Sequence, residues 1–280
     1  MPEINAYSGP IYGAIGKGVQ AECRRRGWKL DVAMGGMAVA ADFLGTPRAD
    51  GIIAIVGRVP FEPLGEVIQH LPVVLVNSRD HGVGCDSVDL DNRSGVRAMV
   101  ELLEKEGHKK IVFLYDHAGG RADIRHHLAD RIEAFLGALV RFGLDFTVDD
   151  ILNAASFGPS RQAQAYDGVV RELLDREQRP TAVLAFNDAV AAQFIHATHR
   201  AGLSVPGDFA VTGYDNHAVA NETAPAITTF SHNRESMGSL AVRTIAHRLE
   251  QPLLGRTSIL VSGEVVLRES HASCAADPAV

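Results

Sequence analysis

The chain has 280 residues, of which 46% are hydrophobic and 22% are charged, and its mean hydropathy is close to zero. These proportions are typical of a folded globular protein and exclude fibrous and wholly disordered classes. The formal net charge of -7 makes the chain as a whole no electrostatic match for a phosphate backbone. No apolar run approaches the roughly 20 residues that cross a bilayer, and the first residues lack the basic and apolar regions of a signal peptide. We therefore expect a cytoplasmic protein.

Short apolar runs rich in Val and Ile alternate along the chain with longer segments of helical periodicity. Most of the runs are continuously hydrophobic, which predicts strands that are buried on both faces, as in a parallel sheet. The predicted strands are Lys29–Ala33, Gly51–Val56, Val73–Asn77, Ser87–Leu90, Lys110–Tyr115, Ala182–Phe186, Phe209–Tyr214 and Ile227–Phe230.

Helical periodicity is clear between these runs. In 92–107 the apolar positions recur at i, i+3, i+4 and i+7, with Asp91 placed as the N-cap and Gly107 as the stop. The same spacing recurs before Gly202 and in a C-terminal helix. Repeated strand–helix–strand units predict a doubly wound α/β fold, and this number of strands suits two smaller sheets at least as well as one. The break between them is predicted near Tyr115–Asp123.

Motifs for catalysis, phosphate binding and metal binding are absent from the sequence. "GAIGKG" (Gly13–Gly18) lacks the spacing of a phosphate loop, which favours helix-packing glycines. The adjacent His126 and His127 point about 100° apart on a helix, so they do not suit one ion. We expect no enzyme activity, no cofactor and no metal. The cysteines, which are expected to be reduced thiols, are Cys23, Cys85 and Cys274.

Polar residues follow several of the predicted strands at their carboxyl ends. In an open α/β sheet those ends face the ligand crevice. Each group also has a plainer explanation, because Asp and Asn after a strand are good helix N-caps. At one junction the two roles are divided: Asp188 is expected to cap the following helix, and Asn187 is expected to point toward a ligand beside Asp215. The groups are Asn77, 89–92, Asn187-Asp188 and 213–217.

Several stretches carry motifs of a known family. "LPVVLVNSRDHGVGCDSVDLDNRSGVRAMVELLEKEGHKKIVFL" contains a strand, V-x-x-D-N and a helix ending in G-H-x-x-I. "RPTAVLAFNDAVAAQFIHATHRAGLSVPGDFAVTGYDN" follows P-T-A-v-x-x-x-N-D, a helix and G-x-x-v-P-x-D-x-x-V-x-G-y-D. "APAITTF" and "VVLRESHA" match P-x-L-T-T and L-x-x-R-x-S. From about residue 49 to 272 the chain resembles the effector-binding part of LacI/GalR-type bacterial transcription repressors, the periplasmic-binding-protein-like fold of type I.

The resemblance implies two α/β subdomains, each a doubly wound parallel sheet built from non-contiguous segments, joined by crossovers. A small molecule would bind in the cleft. One subdomain would take residues 1–115 plus 233–254, and the other 116–230 plus 259–270. The helix-turn-helix headpiece through which the family reads DNA has no counterpart in this sequence. The apolar strand that would precede "INAYSGPIYG" is also missing.

The motifs assign four ligand-binding residues by resemblance. Asn187 is the N of N-D, Asp215 is the D of G-Y-D, and Asp91 is the D of D-N. Arg131, in "RIEAF", matches the R of the family's R-x-x-G-F, with Ala134 in place of the glycine. Such groups suit a sugar, because adjacent hydroxyls can donate to a carboxylate and accept from an arginine in paired hydrogen bonds.

Four further candidates have open alternatives. Phe157 matches an aromatic that the family often sets against the ligand's apolar face, and core packing is an equally good interpretation. His232 matches a polar contact position, and a hinge role without ligand contact is an equal alternative. Tyr7 is placed near the cleft by the resemblance. Arg48, before "ADGI", is a weaker candidate, because such a charge is more often solvated in a loop.

The resemblance implies a ligand-sensing module of a repressor. A sugar-like effector would close or shift the two lobes of a homodimer that presents DNA-binding heads elsewhere. The alternative is a stand-alone solute-binding protein of the same fold, which would need export, and the start of the chain carries no signal for it. An enzyme on this fold is disfavoured, since no nucleophile–base pair or metal constellation is found.

Overall fold

A computed structural model describes residues 10–32, 49–55, 68–79, 82, 84–118, 126–159 and 161–271. The chain forms two compact units. Unit 1 consists of Met1–Asp91 and Asn233–Val261, and unit 2 consists of Asn92–His232 and Ser262–Val280. The backbone therefore passes from one unit to the other at three points, after Asp91, after His232 and after Val261.

Unit 1 is built on a parallel sheet of strands in the order β1-β2-β3-β9. Two helices, α1 and α7, cover one face of it with an apolar core that includes Ile15, Val76, Val88 and Met237. The strands are β1 (Ile52–Ile55), β2 (Val73–Val76), β3 (Asp86–Leu90) and β9 (Ser258–Val261), and the helices are α1 (Pro10–Arg26) and α7 (Arg234–Glu250).

Two glycines allow α1 and α7 to pack backbone against backbone. A Cβ atom on Gly18 would collide with the carbonyl oxygen of Glu235, and one on Gly238 would collide with the carbonyl oxygen of Ile15. Neither obstacle can move aside like the end of a flexible side chain, because each is main chain. The helix-packing interpretation of the "GAIGKG" stretch is therefore confirmed at Gly18, whereas a Cβ on Gly13 would meet nothing within 4 Å.

Unit 2 is built on a second parallel sheet in the order β5-β4-β6-β7, with a small antiparallel pair of β8 and β10 beside it. Its strands are β4 (Ile111–Tyr115), β5 (Ile151–Asn153), β6 (Ala182–Ala185), β7 (Ala210–Thr212), β8 (Thr229–His232) and β10 (Gly263–Val266). Its helices are α2 (Asn92–Lys105), α3 (His126–Phe142), α4 (Ala163–Leu174), α5 (Asp188–Arg200) and the short α6 (Val219–Glu222).

Helices cover both faces of the unit 2 sheet, as the doubly wound prediction requires. On one face α2 and α3 pack around buried residues such as Met99 and Phe135. On the other face α4 and α5 pack around Tyr166 and Phe194. Side chains of the strands therefore meet apolar neighbours on both sides, which explains their continuous hydrophobicity.

Left-handed glycines end two of the predicted helices. Gly107 follows α2 with φ +94° and Gly202 follows α5 with φ +77°. A residue without a Cβ atom adopts this conformation readily, and the amide after Gly107 turns back to bond the carbonyl of Leu103 at 3.0 Å. Both predicted stops are confirmed.

The first boundary between the units lies earlier than the predicted break near Tyr115. Helix α2 and strand β4 belong to unit 2, because β4 pairs with β5 and β6. The predicted segment 259–270 is likewise divided after Val261, because β9 pairs with β3 in unit 1. Apolar runs locate strands along the chain, but they do not say which sheet each strand joins.

Two of the predicted strands differ from the structure, and β5, β9 and β10 are not among the strands predicted. No strand is present over 29–32, and Ala33 lies outside the described residues. The strand predicted at Ile227–Phe230 begins at Thr229 and runs on to His232. Strand β5 was not predicted, because its three residues end in Asn153 and give no periodic signal.

Candidate ligand-binding site

Arg131 lies on the buried stripe of α3. Leu128, Phe135 and Ala138 are buried on the same face at helical spacing, so the fold of the helix turns the arginine inward with them. Arg131 is only 2% exposed. A guanidinium taken out of water needs hydrogen-bond and charge partners, because its desolvation is costly.

Those partners come from three different elements of unit 2. Arg131 Nε donates to Oδ1 of Asn92, the first residue of α2, at 2.9 Å. Nη1 donates to the carbonyl oxygen of Phe186, just after β6. Nη2 donates to Oδ1 of Asp215, which follows β7, at 3.2 Å. The arginine thus connects the carboxyl ends of two neighbouring parallel strands.

Aromatic rings enclose the same guanidinium. Its Cζ atom lies 3.8 Å from the centre of the Tyr214 ring and 4.6 Å from that of Phe186, both within cation–π range. The Tyr214 hydroxyl lies 3.1 Å from Nε2 of His232 at the end of β8. Gly95 makes room for this arrangement, because a Cβ there would collide with the Tyr214 hydroxyl.

Asp215 has a backbone conformation that is rare for a residue with a side chain. Its φ is +95°, and the next residue, Asn216, also has a positive φ of +53°. Its amide donates to the carbonyl oxygen of Phe230 at 2.8 Å. The carboxylate is 9% exposed, and it lies beside Arg131 at the strand ends. Left-handed residues of this kind cluster at functional sites, where the surroundings hold them in place.

The helix cap predicted for Asp188 is made by Asn187 in the structure. Asn187 is the N-cap of α5, and its Oδ1 accepts from the Val190 amide at 3.0 Å. Asp188 does not cap the helix. It is fully buried, and its two oxygens accept from the Thr229 hydroxyl and from the His217 amide, each at 2.6 Å.

Space for the Asp188 carboxylate comes from Gly213, where a Cβ atom would collide with Oδ1. Burial raises the pKa of this carboxyl from 3.8 to about 6, although its two hydrogen bonds favour the charged form. The negative charge of Asp215 adds to the rise, and the cation of Arg268 opposes it. Asp188 is therefore a structural and electrostatic neighbour of Asp215.

The cap does not use all of Asn187. It occupies the carbonyl oxygen, while the two N–H donors of the half-buried side-chain amide play no part in it. A role for Asn187 in ligand binding thus stays a prediction, now restricted to donation from Nδ2.

The structure brings one of the other candidates, His232, to this site and places another, Phe157, against the core. His232 is 6% exposed and joins it through Tyr214, with its ring 5.0 Å from that of Phe230. Phe157 is half-buried and packs against the apolar core beside α4, as in the core-packing alternative. Its β-carbon lies against Gly168 of that helix.

The contacts described above do not include three of the candidates. Asp91 belongs to unit 1, where its amide donates to the carbonyl oxygen of Val261 at 3.0 Å. Tyr7 and Arg48 lie outside the described residues. Their ligand-binding roles stay predictions.

Two residues of the site were missed from sequence. Asn92 was visible as the second residue of the D-N motif, but only Asp91 was chosen as a candidate. Tyr214, the aromatic residue within G-Y-D, was part of a quoted motif and was assigned no role. Both touch the Arg131 side chain, and the motifs could have indicated both.

The histidine pair near the start of α3 differs from the geometric expectation. The rings of His126 and His127 lie 3.8 Å apart, centre to centre, rather than diverging. Nδ1 of His127 lies 3.1 Å from the side-chain amide of Asn92. This contact links His127 to the first partner of Arg131, and the absence of a metal stays a prediction.

At the strand ends of unit 2, the site combines a carboxylate, a guanidinium and a side-chain amide beside aromatic rings. These groups donate and accept hydrogen bonds in fixed directions, which suits recognition of a polar small molecule. The chain thus combines two α/β units, connected at three points, with a polar and aromatic cluster at the strand ends of unit 2.

Residues 100–271 match the family model of the periplasmic binding protein-like domain. The chain is 28% identical over 206 residues to the arabinose metabolism transcriptional repressor of Geobacillus stearothermophilus, covering 72% of this chain and 54% of that protein. It is 27% identical over 263 residues to the ribose operon repressor of Escherichia coli, covering 90% of this chain and 75% of that protein.

Among solved structures, a LacI family transcriptional regulator from Enterococcus faecium with bound ribose matches with a TM-score of 0.74. Its sequence identity is 21%, and the match covers 95% of this chain and 96% of that one. The chain belongs to the periplasmic binding protein-like domain family, and the proteins to which it is similar include LacI family transcriptional regulators. Across the part of the chain that the structure describes, no helix has the length and hydropathy needed to span a membrane.

Proposed function

We propose that this chain is the ligand-sensing domain of a LacI-type transcriptional repressor and that its effector is a sugar or a sugar derivative. The effector would contact the strand ends of unit 2 and would control DNA binding by a headpiece outside this sequence. The chain spans 54% and 75% of the two repressors described above, so regulation of a promoter belongs to the proposal.

The observation that carries the proposal is the Arg131–Asp215 pair. The Asp215 carboxylate accepts from Arg131 through one oxygen, Oδ1, at 3.2 Å. Adjacent hydroxyls of a sugar can donate to such a carboxylate while accepting from a neighbouring N–H group. Asn187 would supply that donor from its Nδ2 atom. The aromatic rings around Arg131 keep the charged pair partly out of water. Each hydrogen bond of the pair is stronger in these surroundings than it would be in water.

Two further parts of the proposal rest on the relatives. Repressors of arabinose and ribose metabolism are similar to this chain, which supports a pentose as the first ligand to test. A homodimer in the cytoplasm is what the family resemblance implies, and we include both properties in the proposal. The relatives described above are transcriptional regulators, which favours this proposal over a stand-alone solute-binding protein.

A thermal-shift screen tests the sensing function. Pentoses, hexoses, sugar acids and nucleosides would be added to the purified chain, and a ligand at about one hundred times its Kd should stabilise the fold by ~2.7 kcal/mol. Failure of every compound in such a library to raise the unfolding temperature would contradict a sugar-like effector.

Two variants then test the site. Asp215→Asn should abolish the shift, because the charged acceptor is lost. Asn187→Ser keeps an oxygen that can cap α5 but has no amide donors, so it should weaken the shift while leaving the ligand-free stability nearly unchanged. Asp149→Asn, a substitution of a solvent-facing residue far along the chain, is the control. If the ligand raised the unfolding temperature of both site variants as much as that of the unaltered chain, the assignment of the site would be wrong.

A further inference from the structure

Asp215 and Asn216 form a turn in which two successive residues with side chains have positive φ, +95° and +53°. L-residues other than glycine rarely adopt this region, and they stay there only where the surrounding structure holds them. The turn sets the direction of the Asp215 carboxylate toward Arg131. What holds the turn therefore bears directly on the site.

Asn216 makes three contacts of unequal quality. Its amide donates to the Thr229 hydroxyl at 3.3 Å, and its Nδ2 donates to the Ser231 hydroxyl at 3.4 Å. Both are long for hydrogen bonds. In contrast, Nη2 of Arg268 donates to Oδ1 of Asn216 at 2.8 Å, and the charge of the donor strengthens this bond. Arg268 provides the strongest of the three contacts.

Arg268 is itself fixed at several points. Its Nη1 donates to the carbonyl oxygen of Ile227 at 2.7 Å. Its main-chain amide donates to the Thr228 hydroxyl, also at 2.7 Å, and that hydroxyl lies 3.1 Å from the Arg268 carbonyl oxygen. The guanidinium is thus anchored to Ile227, two residues before β8, the strand whose Phe230 carbonyl oxygen accepts from the Asp215 amide.

The segment that carries Arg268 is held on its C-terminal side as well. Ser270 is fully buried, and its hydroxyl donates to the carbonyl oxygen of Val211 in β7 at 2.5 Å. The same hydroxyl accepts from the Thr228 amide at 2.9 Å. On the N-terminal side, Val266 pairs with Thr229 in the β8–β10 ladder. The backbone of Arg268 therefore has little freedom.

We propose that Arg268 is a positioning residue for the ligand-binding site: it holds Asn216 in the left-handed conformation and thereby directs the Asp215 carboxylate. It acts through Asn216, with both of its terminal nitrogens engaged by Asn216 and Ile227. The importance of Asp215 for ligand binding rests on the function proposed above, whereas the effect on the turn does not depend on any ligand.

Arg268 also lies close enough to Asp188 for its charge to act on that carboxyl. The cation lowers the pKa of Asp188 and so opposes the effect of burial. Asp188 in turn accepts from the amide of His217, the residue after Asn216. Arg268 and Asp188 thus contact two successive residues, Asn216 in the turn and His217 directly after it.

Amide hydrogen exchange, followed by NMR on the ligand-free chain, tests the proposal. In the unaltered chain the Asp215 amide donates to the Phe230 carbonyl oxygen. In Arg268→Gln this amide should exchange at least about tenfold faster, as expected for loss of a charge-assisted hydrogen bond. The Ala191 amide in α5 should keep its rate. Arg268→Lys, which keeps the charge and one donor, should fall between, and Arg171→Gln on exposed α4 is the matched control.

A rescue experiment separates positioning from general stabilisation. Glycine adopts positive φ without penalty, so in an Asn216→Gly background Arg268→Gln should no longer accelerate exchange of the Asp215 amide. An equal acceleration in both backgrounds would overturn the proposal, as would an unchanged Asp215 rate in Arg268→Gln. An equal rise at Asp215 and Ala191 would show global destabilisation and would also overturn it.

Binding provides the second readout. Arg268→Gln should weaken the affinity for D-ribose about tenfold, with recovery in the Asn216→Gly background. If D-ribose and the other sugars fail to bind even the unaltered chain, the proposed function fails while the exchange result still decides the role of Arg268. If the sugar binds and Arg268→Gln has no effect on its affinity, the positioning role fails while the proposed function stands.

Discussion

The guanidinium of Arg131 lies 3.8 Å from the centre of the Tyr214 ring while Nε donates to Asn92 at 2.9 Å. A buried cation is thus held between a ring at the end of β7 and the first residue of α2. Asn92 opens unit 2 at one of the points where the chain enters it, and His232, bonded to the Tyr214 hydroxyl, is the last residue before the chain leaves it. Two residues of the site, Asn92 and His232, therefore lie directly at points where the backbone changes from one unit to the other.

Replacing Arg131 with alanine should lower the free energy of unfolding by about 3–5 kcal/mol, because Asp215 would be left partly buried without its cation. Urea unfolding at pH 7 measures the loss. Arg171→Ala, on the exposed face of α4, should change it by no more than about 0.5 kcal/mol. Equal effects of the two substitutions would contradict the pairing, and the double variant with Asp215→Asn should lose less than the sum of the single losses.

The helix cap at Asn187 gives a second prediction. Asn187→Ala should cost about 1 kcal/mol of stability, because the Val190 amide loses its acceptor. Asn187→Ser should restore most of it. Thermal unfolding of the two variants side by side checks this, and equal stability of alanine and serine at this position would argue against the cap.

The Asp188 carboxyl makes stability depend on pH. Its folded-state pKa of about 6 lies above the usual 3.8, so the folded protein binds the proton more tightly than the unfolded chain does. The contribution of this group to the free energy of unfolding is therefore greatest in acid and falls as the pH rises from about 4 to about 6, by ~3 kcal/mol in total.

The variant Asp188→Asn has no proton to bind at this position. The stability difference, unaltered chain minus Asp188→Asn, should decrease by about 2–3 kcal/mol between pH 4 and pH 7. Denaturation series at several pH values give this difference directly. A difference that stays constant over the range would show that the carboxyl titrates as in the unfolded chain.

The contact of α1 with α7 predicts opposite effects at two glycines of one helix. Gly18→Ala should destabilise unit 1 by about 1–3 kcal/mol, because its Cβ meets the Glu235 carbonyl oxygen and the helices must separate. Gly13→Ala, with open space around it, should be stabilising by up to ~1 kcal/mol through helix propensity. Circular dichroism melts of both variants distinguish them, and a loss of similar size at Gly13 would refute the packing explanation.

The fold class could be predicted from the sequence, because it depends on features that are visible in the order of apolar and polar residues. Continuous apolar runs such as Val73–Val76 require cover on both faces, and glycines such as Gly107 mark where helices end. The assignment of strands to sheets was less accessible. The residues of β4 and β9 would suit a strand in either unit. Only the pairing of β4 with β6 and of β9 with β3 shows which sheet each strand joins.

The site was predicted in part for a similar reason. Motif positions identified Arg131 and Asp215, and in the structure Nη2 of Arg131 lies 3.2 Å from Oδ1 of Asp215. The choice of Asn187 rather than Asp188 as the helix cap was not predictable, because it depends on the backbone angles of one junction and on the space that Gly213 leaves for the Asp188 carboxylate. Two adjacent polar residues that are both good N-caps carry no sequence signal for which one turns inward.

The pairing of β8 with β10 has a practical consequence for dissecting the molecule. No uninterrupted piece of the gene encodes unit 2, and a polypeptide ending at His232 would leave β8 without its partner, an exposed edge that invites aggregation. However, His232 stands directly opposite Gly263 in the antiparallel ladder. A two-residue turn could therefore replace everything between them and convert the pair into an ordinary hairpin. Such a shortened polypeptide would carry Arg131, Asp215 and Arg268 together, so that the sugar binding proposed for these strand ends could be tested in isolation.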